Sequence, residues 1–420
     1  MNRREVKRAP VLRFKGFTND WEQHKLGDET NRIKSYSISH GFEVAEDTGT
    51  KYIHYGDIHY GDIHTSKVKI INNIDVLPNI KDNNYKPLKY GDVIVADASE
   101  DYKGIADACI VNTISDSYKI VAGLHTIAFR PKSKLCSKFL YFYLSTDIFK
   151  HFGYKTGTGL KVFGISYKEL AKFKLKEPSV TEQKKIVKLL FLIENAINLQ
   201  QRKLELLKAS KKAVLQNIFT DTKRVPTIRF NTFSENWNQK RLKPFLIKYN
   251  KKTTVNNQYP VLTSSRQGLF FQKDYYDGNQ IASKNNIGYN IVPRNYFTYR
   301  HMSDDLIFHF NINTICDYGI VSTLYPVFTT TSEIDSQWLL YYLNHSVDIK
   351  KYALLQKQGG SRTYMYFSKL ESLKAHIPAL AEQKKISSLI FKIDEQIYFQ
   401  QKKLKYLQKS KRFLLQNMFI

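Results

Sequence analysis

The first residues whose types suggest chemistry form a tandem pentapeptide. Tyr55-Gly-Asp-Ile-His59 is followed directly by Tyr60-Gly-Asp-Ile-His64, and His54 precedes both copies. Histidine nitrogens and aspartate oxygens are ordinary zinc ligands. A spacing of five residues, however, would place successive histidines on opposite faces of a strand. Slippage of a five-residue unit explains the pattern without any ligand, so we expect no metal site in this chain.

A second candidate is the glycine-containing segment Thr156-Gly-Thr-Gly-Leu-Lys161, with Gln358-Gly-Gly-Ser361 in the matching place of the second half. Neither segment fits G-x-G-x-x-G or G-x-x-x-x-G-K-[ST], the spacings of nucleotide-binding loops. Two interpretations stay open. Each segment is either a flexible loop that approaches a DNA phosphate or a simple turn.

Catalytic signatures are missing from the sequence. None of the 11 prolines is followed by Pro or Asp, which excludes an N-P-P-[YF] methyltransferase motif and a P-D nuclease motif. There is no H-E-x-x-H and no credible nucleophile–base–acid triad. We therefore predict that the chain has no catalytic residues.

The cysteines and the apolar segments bear on the compartment. Cys109, Cys136 and Cys316 are far apart and suggest neither a disulfide framework nor a zinc site. The N-terminus is basic but has no apolar core of a signal peptide, and the apolar runs are too short to span a membrane. We expect a cytoplasmic protein with free thiols.

The charge points to a polyanionic partner. The chain carries 65 Lys and Arg against 38 Asp and Glu, a net charge of +27 at pH 7. Such an excess is typical of proteins that bind nucleic acid. The 28 Tyr and 26 Phe fit base stacking, but a tyrosine-rich β core would give the same count.

The elements that must position any such surface are marked by an internal repeat. Residues 182–219 and 382–419 share one pattern at a constant offset of 200, and neither copy contains Gly or Pro. Apolar residues recur at alternating steps of four and three, which predicts a long helix with a heptad seam. Gln200 with Lys211, and Gln400 with Lys411, are matching polar breaks in that seam. The apolar seam positions are Ile186, Leu190, Ile193, Ile197, Leu204, Leu207, Val214 and Ile218 in the first copy, and Ile386, Ile390, Ile393, Ile397, Leu404, Leu407, Leu414 and Met418 in the second.

The two helices are expected to pair with each other in antiparallel orientation. Each would be about 57 Å long. The domain between them has an expected diameter of about 40 Å. A parallel pair would force that domain to stretch from one end of the rod to the other, whereas an antiparallel pair lets it leave and return at the same end. Ser179 and Glu182 predict a capping box at the start of the first helix.

The segments in front of the two helices also begin alike. Arg13-Phe14 and Arg229-Phe230 open matching stretches at an offset of 216. Between the shared ends, runs of Val, Ile, Tyr and Phe broken by Gly and Asn predict short strands. We predict an α/β (α+β) fold of two globular domains, each followed by a long helix. The predicted boundaries are 1–180 and 225–378 for the domains, and 181–224 and 379–420 for the helices with their linker.

On the repeated EQKKI…LQN-F helices the sequence resembles the specificity subunits of type I restriction-modification systems, the HsdS family. The resemblance covers nearly the whole chain and implies two target-recognition domains held by an antiparallel coiled coil. It implies a non-catalytic subunit that recognises an asymmetric bipartite DNA site. Its implied partners are double-stranded DNA, two modification subunits with S-adenosylmethionine that methylate adenine, and restriction subunits with ATP and Mg²⁺. The chain itself would hold no cofactor.

Candidate DNA contacts lie in and near the glycine loops, with further candidates elsewhere in the second domain, because Arg and Gln can pair with guanine and adenine in two places at once. The alternative for each is an ordinary solvated loop residue. They are Lys155, Thr156, Lys161, Ser264, Ser265, Arg266, Gln267, Arg300, Gln358, Ser361 and Arg362. Phe191 and Phe391 lie off the predicted seam and are expected to dock the modification subunits. The alternative is a standalone coiled-coil DNA-binding or architectural protein without an enzyme partner. A self-contained DNA enzyme is disfavoured by the missing motifs.

Overall fold

The computed structural model describes residues 9–59, 70–71, 74–100, 104–159, 163–219, 225–278, 282–357 and 362–420. The chain divides into two compact units. Unit 1 comprises Met1–Gln201 and Lys402–Ile420, and unit 2 comprises Arg202–Gln401. Each unit therefore contains a globular part and segments of both long helices. No helix in the described ranges combines the length and apolar character needed to cross a membrane.

In its described residues, unit 1 is built on two sheets and two short ribbons. Its strands are β1 (Glu22–Lys25), β2 (Thr30–Ile33), β3 (Glu43–Val44), β4 (Thr50–Ile53), β5 (Ile70–Ile71), β6 (Asn79–Ile80), β7 (Val93–Ala96), β8 (Ala98–Ser99), β9 (Ala108–Val111), β10 (Lys119–Ala122), β11 (Thr126–Pro131), β12 (Phe163–Gly164) and β13 (Lys174–Glu177). Its helices are α1 (Leu26–Glu29), α2 (Tyr55–His59), α3 (Ser137–Leu144), α4 (Asp147–Thr156) and α5 (Tyr167–Leu170), and the long helix α6 (Val180–Ile218) starts in it. One sheet has the order β2-β11-β7-β9-β5 and the other β10-β4-β6-β3, while β1 pairs with β13 and β8 with β12.

Over the ranges that the structure describes, unit 2 has one four-stranded sheet and four ribbons. Its strands are β14 (Asn238–Arg241), β15 (Leu246–Lys248), β16 (Leu262–Ser265), β17 (Gly268–Phe271), β18 (Asn290–Pro293), β19 (Phe297–Tyr299), β20 (Met302–Ser303), β21 (Phe310–Ile312), β22 (Tyr318–Val321), β23 (Val327–Thr330), β24 (Thr363–Tyr364) and β25 (Lys374–Ile377). Its helices are α7 (Gln272–Tyr275), α8 (Ser336–His345), α9 (Val347–Leu355), α10 (Phe367–Ser372) and the start of α11 (Leu380–Asn417). The sheet order is β15-β23-β19-β21, and the ribbons are β14·β25, β16·β17, β18·β22 and β20·β24.

The two units share a frame that extends well into their interiors. The order β15-β23-β19-β21 in unit 2 repeats β2-β11-β7-β9 in unit 1, with antiparallel neighbours in both. In each unit a ribbon joins the segment in front of the globular part to the strand before the long helix: β1·β13 or β14·β25. Sequence comparison predicted similar ends and different interiors. The interiors do differ, but the difference lies in the elements that each unit adds to a common sheet. Strands can share an arrangement when their side chains are buried in a similar way, even if the residues are not identical.

The antiparallel course of the long helices is visible inside each unit. In unit 1, Ile186 and Met418 belong to one buried cluster, and Glu194 pairs with Lys411. In unit 2, Ile386 and Ile218 share a buried cluster, and Asp394 pairs with Lys211. Residue numbers rise along one helix as they fall along the other.

The predicted seam matches the burial pattern. Every predicted seam residue, apolar or polar, is buried or half-buried, from 186 to 218 and from 386 to 418. Large side chains at other positions, such as Leu199 and Tyr406, are exposed. A helix face that alternates in steps of four and three is thus the face that packs.

The start of each long helix differs from a simple capping box. The Ser179 hydroxyl accepts a hydrogen bond from the Glu182 backbone N–H at 3.4 Å, as predicted. The Glu182 carboxylate, however, binds the guanidinium of Arg13 through two hydrogen bonds of 2.7 and 2.8 Å. In unit 2, Arg229 and Glu382 form the same pair at 2.8 Å in both bonds. Both glutamates are 1% exposed, so each helix start is fixed to the segment that opens its unit.

Candidate nucleic-acid interface

Most of the residues predicted in unit 2 meet around the ribbon β20·β24. The turn between β16 and β17 carries Ser264 to Gln267, and the Ser265 hydroxyl accepts from the Gln267 N–H at 3.1 Å. Asn311 donates to the Ser264 hydroxyl at 2.8 Å and to the Ser265 carbonyl at 2.9 Å. These bonds fix a polar turn whose tip, Arg266 and Gln267, is exposed.

Two arginines converge on one acidic loop beside that ribbon. The Arg266 guanidinium donates to Asp305 at 2.6 Å, and the Arg362 guanidinium donates to Asp304 at 2.9 Å. Both pairs are solvent-exposed: the side chains are 59% and 52% exposed for the arginines. The hydrogen bond from Arg266 lowers the pKa of Asp305, which keeps that carboxylate ionised.

The weakness of these pairs matters for their chemistry. Exposed ion pairs contribute about 0–1 kcal/mol. A DNA phosphate or a guanine edge can accept two parallel hydrogen bonds from one guanidinium. Arg266 and Arg362 are therefore oriented by aspartates that a nucleic acid can replace at little cost.

Aromatic rings lie on the same ribbon. The rings of Tyr364 and Tyr366 stack at 5.7 Å with an interplanar angle of 11°, and the His301 ring lies 5.1 Å from Tyr366. Burial lowers the pKa of His301, which favours its neutral form. Arg300, an exposed predicted contact, directly precedes this histidine. Bases stack on such rings in single-stranded sites, and their edges supply apolar contacts in duplex grooves.

The predicted residues of unit 1 are less clustered. Lys155 is exposed in the last turn of α4, and the Thr156 hydroxyl donates to the Phe152 carbonyl at 2.7 Å within that helix. The following loop returns to the ribbon β8·β12, since Thr158 and Gly164 exchange backbone hydrogen bonds of 3.0 and 2.8 Å. Lys161, Gln358 and Ser361 lie outside the described residues.

A polar cluster of unit 1 escaped the sequence analysis. His125 and Asp97 are hydrogen-bonded at 3.2 Å, and the Asp97 carbonyl accepts from Ile165 N–H, which ties the pair to β8·β12. His125 has a φ of 55°, in the left-handed region that side chains other than glycine seldom adopt. Burial raises the pKa of Asp97, and the neighbouring His125 opposes that rise. Only the fold brings these two residues together, because they are 28 positions apart.

The same cluster continues through three aromatic rings. His54 lies 4.4 Å from the ring of His40 and 4.4 Å from the ring of Tyr55. The Tyr52 hydroxyl donates to Glu43 at 2.7 Å, and His40 bonds the same carboxylate at 2.6 Å. Burial lowers the pKa of His54, so its ring is neutral near pH 7 and can accept a hydrogen bond, as it does from Gly56 N–H at 3.2 Å.

The tandem pentapeptide is helical in its first copy. Residues Tyr55–His59 form α2, so the reasoning from strand faces was wrong for this copy. The second copy, 60–64, lies outside the described residues. The His54 Nδ1 atom accepts from the backbone N–H of Gly56, and the absence of zinc at this histidine stays a prediction.

The predicted docking phenylalanines are not equivalent. Phe391 is 52% exposed. Phe191 is half-buried against the core of unit 1, with the Lys138 ammonium 4.3 Å from its ring. Phe191 therefore makes contacts within unit 1 that Phe391 lacks in the described residues, and the docking role of the two phenylalanines stays a prediction.

Two stripes of exposed apolar side chains do follow the heptad. The leucine stripe of α6 consists of Leu192, Leu199 and Leu206, which are 58%, 70% and 61% exposed. The aromatic stripe of α11 consists of Phe399, Tyr406 and Phe413, which are 55%, 67% and 57% exposed. Steps of seven place each stripe along one side of its helix. Exposed apolar rows of this kind mark surfaces where another protein packs.

Comparison with known proteins gives a consistent result. The family model described as Type I restriction modification DNA specificity domain matches residues 18–209. The chain is 22% identical over 434 residues to the Type I restriction enzyme MjaVIII specificity subunit of Methanocaldococcus jannaschii, covering 94% of this chain and 91% of that one. The crystal structure of the S subunit of a type I restriction-modification system from M. genitalium matches with a TM-score of 0.57 and 11% identity, over 98% of this chain and 99% of that one. The structural match concerns the fold.

Proposed function

We propose, on the premise that this chain belongs to the type I restriction-modification specificity subunits, that each of its two units recognises one half of a bipartite DNA site. As a member of that family the chain is a non-catalytic DNA-recognition subunit. The globular parts, about 1–180 and 225–378, act as the two target-recognition domains. Each of these domains is followed by one of the long helices, α6 or α11.

One observation carries the proposal: the two units share a strand arrangement but place different polar groups beside their matching ribbons. The His125–Asp97 pair lies beside the ribbon β8·β12 of unit 1, and Arg266 and Arg362 with their aspartates lie beside the matching ribbon β20·β24 of unit 2. The two units share a strand arrangement but differ in their hydrogen-bond donors and acceptors. They are therefore expected to bind different base edges. The two half-sites should therefore differ, and the full site should not be a palindrome.

The net charge of +27 supplies affinity without sequence preference. Lys and Arg bind phosphates in a salt-dependent manner, and only a few polar side chains distinguish bases. Lys155 and Thr156, with Lys161, are the proposed contacts of unit 1. Those of unit 2 are Ser264, Ser265, Arg266, Gln267, Arg300, Gln358, Ser361 and Arg362.

The partners follow from the family and from the exposed stripes. Two modification subunits, which hold S-adenosylmethionine, would pack on the leucine and aromatic stripes. Restriction subunits, with ATP and Mg²⁺, would join that core. The complex would act in the cytoplasm, where the chromosome of a bacterial or archaeal cell is accessible.

The test is methylome sequencing of cells that carry the chain with its modification subunit. Replacing residues 30–135 by the matching segment of a relative should change one half-site and leave the other. A double variant, Arg266→Ala with Arg362→Ala, should weaken or relax the opposite half-site only. Arg294→Ala is the matched control, because Arg294 is also an exposed arginine of unit 2 paired with an aspartate, Asp317, at 2.9 Å.

Three results would contradict the proposal. They are a change in both half-sites after one exchange, equal effects of the control and the double variant, and a symmetric native site. If the chain binds DNA but never co-purifies with a modification subunit, the standalone architectural protein becomes the better account.

A further inference from the structure

A cleft of about 390 Å³ lies at the base of unit 1, among residues that the proposed function does not use. His24 of β1 and Glu177 of β13 line it. The His24 Nδ1 atom is 2.8 Å from Glu177 Oε1 and 3.7 Å from Glu29 Oε1. One ligand atom from each of these three residues lies within 4.8 Å of the others. On the other side of the ring, Nε2 is 3.7 Å from Glu22 Oε2.

The cluster is not electrically balanced by its histidine. Three carboxylates surround one imidazole, so even the protonated ring leaves an excess of negative charge. Glu177 is 7% exposed at its side chain, and its Oε2 has no hydrogen-bond partner within the described part of the chain. A buried carboxylate oxygen without a partner is costly to keep.

Unit 2 shows that the frame does not need these groups. Glu22 lies opposite Glu177 in the ribbon β1·β13, and Asn238 lies opposite Ile377 in the matching ribbon β14·β25. Lys240 stands where unit 1 has His24, two residues along the same strand. The matching ribbon of unit 2 therefore forms with Asn238, Lys240 and Ile377 in place of Glu22, His24 and Glu177. Stability of the ribbon alone does not explain a histidine with three glutamates.

We propose that His24, Glu29 and Glu177 form a binding site for a divalent first-row cation such as Zn²⁺, present in unit 1 and absent from unit 2. Zinc lies about 2.0–2.2 Å from nitrogen and carboxylate ligands. Ligands at that distance are about 3.4 Å apart in a tetrahedron, between the two separations measured from His24. The site uses Nδ1, while Glu22 faces the other ring nitrogen, as carboxylates do in many metal sites. Water from the cleft completes the coordination. This inference revises the expectation of no metal site.

The cation would have a structural role. His24 lies on β1, Glu29 ends α1 and Glu177 ends β13, three residues before α6 begins. One ion would join three elements at the point where the long helix leaves the globular part. Binding should therefore raise the melting temperature of unit 1.

The experiment uses the full-length chain, stripped with a chelator, and titrates Zn²⁺ by calorimetry and by thermal unfolding. His24→Lys installs the residue that unit 2 carries, and Glu177→Gln keeps the shape of the side chain but removes its charge. Each should weaken the site by at least about tenfold and remove the rise in melting temperature. The control is His376→Lys, which alters the His376–Asp348 pair of unit 2 to the residue that unit 1 carries at Lys176.

Wild-type protein and the His376→Lys control should bind one Zn²⁺, and both other variants should bind it at least about tenfold more weakly. An unchanged affinity in His24→Lys and Glu177→Gln would overturn the proposal, because the ion would then lie elsewhere, for example on a cysteine. The absence of saturable binding to wild-type protein would also overturn it and leave an ion pair only. If His24→Lys fails to fold, the Glu177→Gln titration decides.

Discussion

Lys411 of α11 lies 3.1 Å from Glu194 of α6, on the seam of the long helices within unit 1. Unit 2 contains the inverse pair, with Lys211 of α6 at 2.5 Å from Asp394 of α11. A tyrosine hydroxyl reaches each acid: Tyr141 reaches Glu194 at 3.4 Å, and Tyr341 reaches Asp394 at 3.2 Å. A lysine in a packed seam is costly unless it meets an acid. The pairs therefore specify which turns of the antiparallel helices face each other.

Reversing the charge of one partner should show this coupling. Lys411→Glu places two acids together and should lower the free energy of unfolding, whereas Lys411→Glu with Glu194→Lys should recover most of the loss. We expect a coupling energy of about 1–3 kcal/mol from the double-mutant cycle. Chemical denaturation measures it. Arg412→Glu, on the exposed side of the same turn, is the control. No recovery in the double variant would show that the pair does not set the register.

The buried Arg–Glu pairs predict a larger effect. Glu182→Gln leaves the Arg13 guanidinium, 14% exposed, without its charged partner. We expect a loss of about 3–5 kcal/mol. Hydrogen exchange should show faster opening in unit 1 for Glu182→Gln and in unit 2 for Glu382→Gln. The exposed Glu205→Gln should have little effect on either unit. Equal effects of Glu182→Gln and Glu205→Gln would contradict the assignment.

Unit 2 should be sensitive to mild acid because of His345. Burial, with a contribution from nearby Lys211, lowers the pKa of His345 to about 4. His345 binds a proton near pH 6.5 in the unfolded chain and only near pH 4 in the folded chain. The free energy of unfolding of unit 2 is therefore highest above pH 6.5 and decreases as the pH falls towards 4. His345→Gln should flatten this part of the stability curve.

Denaturation midpoints at several pH values, followed with Trp237 and Trp338 in a Trp21→Phe background, report on unit 2. The exposed His151→Gln of unit 1 is the control. An unchanged pH dependence in His345→Gln would show that other groups cause the acid loss.

The exposed stripes predict where the modification subunits dock. Leu199→Asp with Phe399→Asp should abolish co-purification, because both side chains are exposed and would enter an apolar contact. The melting temperature should change little. Lys203→Asp with Lys403→Asp is the control for charge on exposed positions of the same helices. Phe191→Asp should instead destabilise unit 1. A complex that survives the Leu199 and Phe399 changes would place docking elsewhere.

Periodicity predicted the long helices and their seam well, because a coiled-coil pattern depends on local spacing. It could not show that the Glu182 carboxylate binds Arg13, since a capping box and a long-range ion pair need the same residue. The His125–Asp97 pair and the shared sheet arrangement could not be predicted from the sequence for a related reason. Tertiary packing brings those residues together, and packing conserves burial rather than identity. Phe191 is half-buried because it packs against the core of unit 1, with Lys138 beside its ring. The helix sequence alone does not show these contacts.

The division into units bears on a shortened chain. In unit 1, Met418 and Phe419 close the core that contains Ile186, and in unit 2, Ile218 and Phe219 close the core that contains Ile386. A fragment of residues 1–220 lacks the segment that closes unit 1 but contains its counterpart. Two copies can therefore exchange their ends and close each other, with two-fold symmetry.

Independent recognition by the two units is tested by the methylome of cells that carry the 1–220 fragment with the modification subunit, in place of the full chain. Two identical units should recognise two identical half-sites. We therefore expect methylation at a palindrome made of the unit 1 half-site and its inverted copy, in place of the asymmetric site. A soluble fragment that binds the modification subunit yet marks no such palindrome would contradict it.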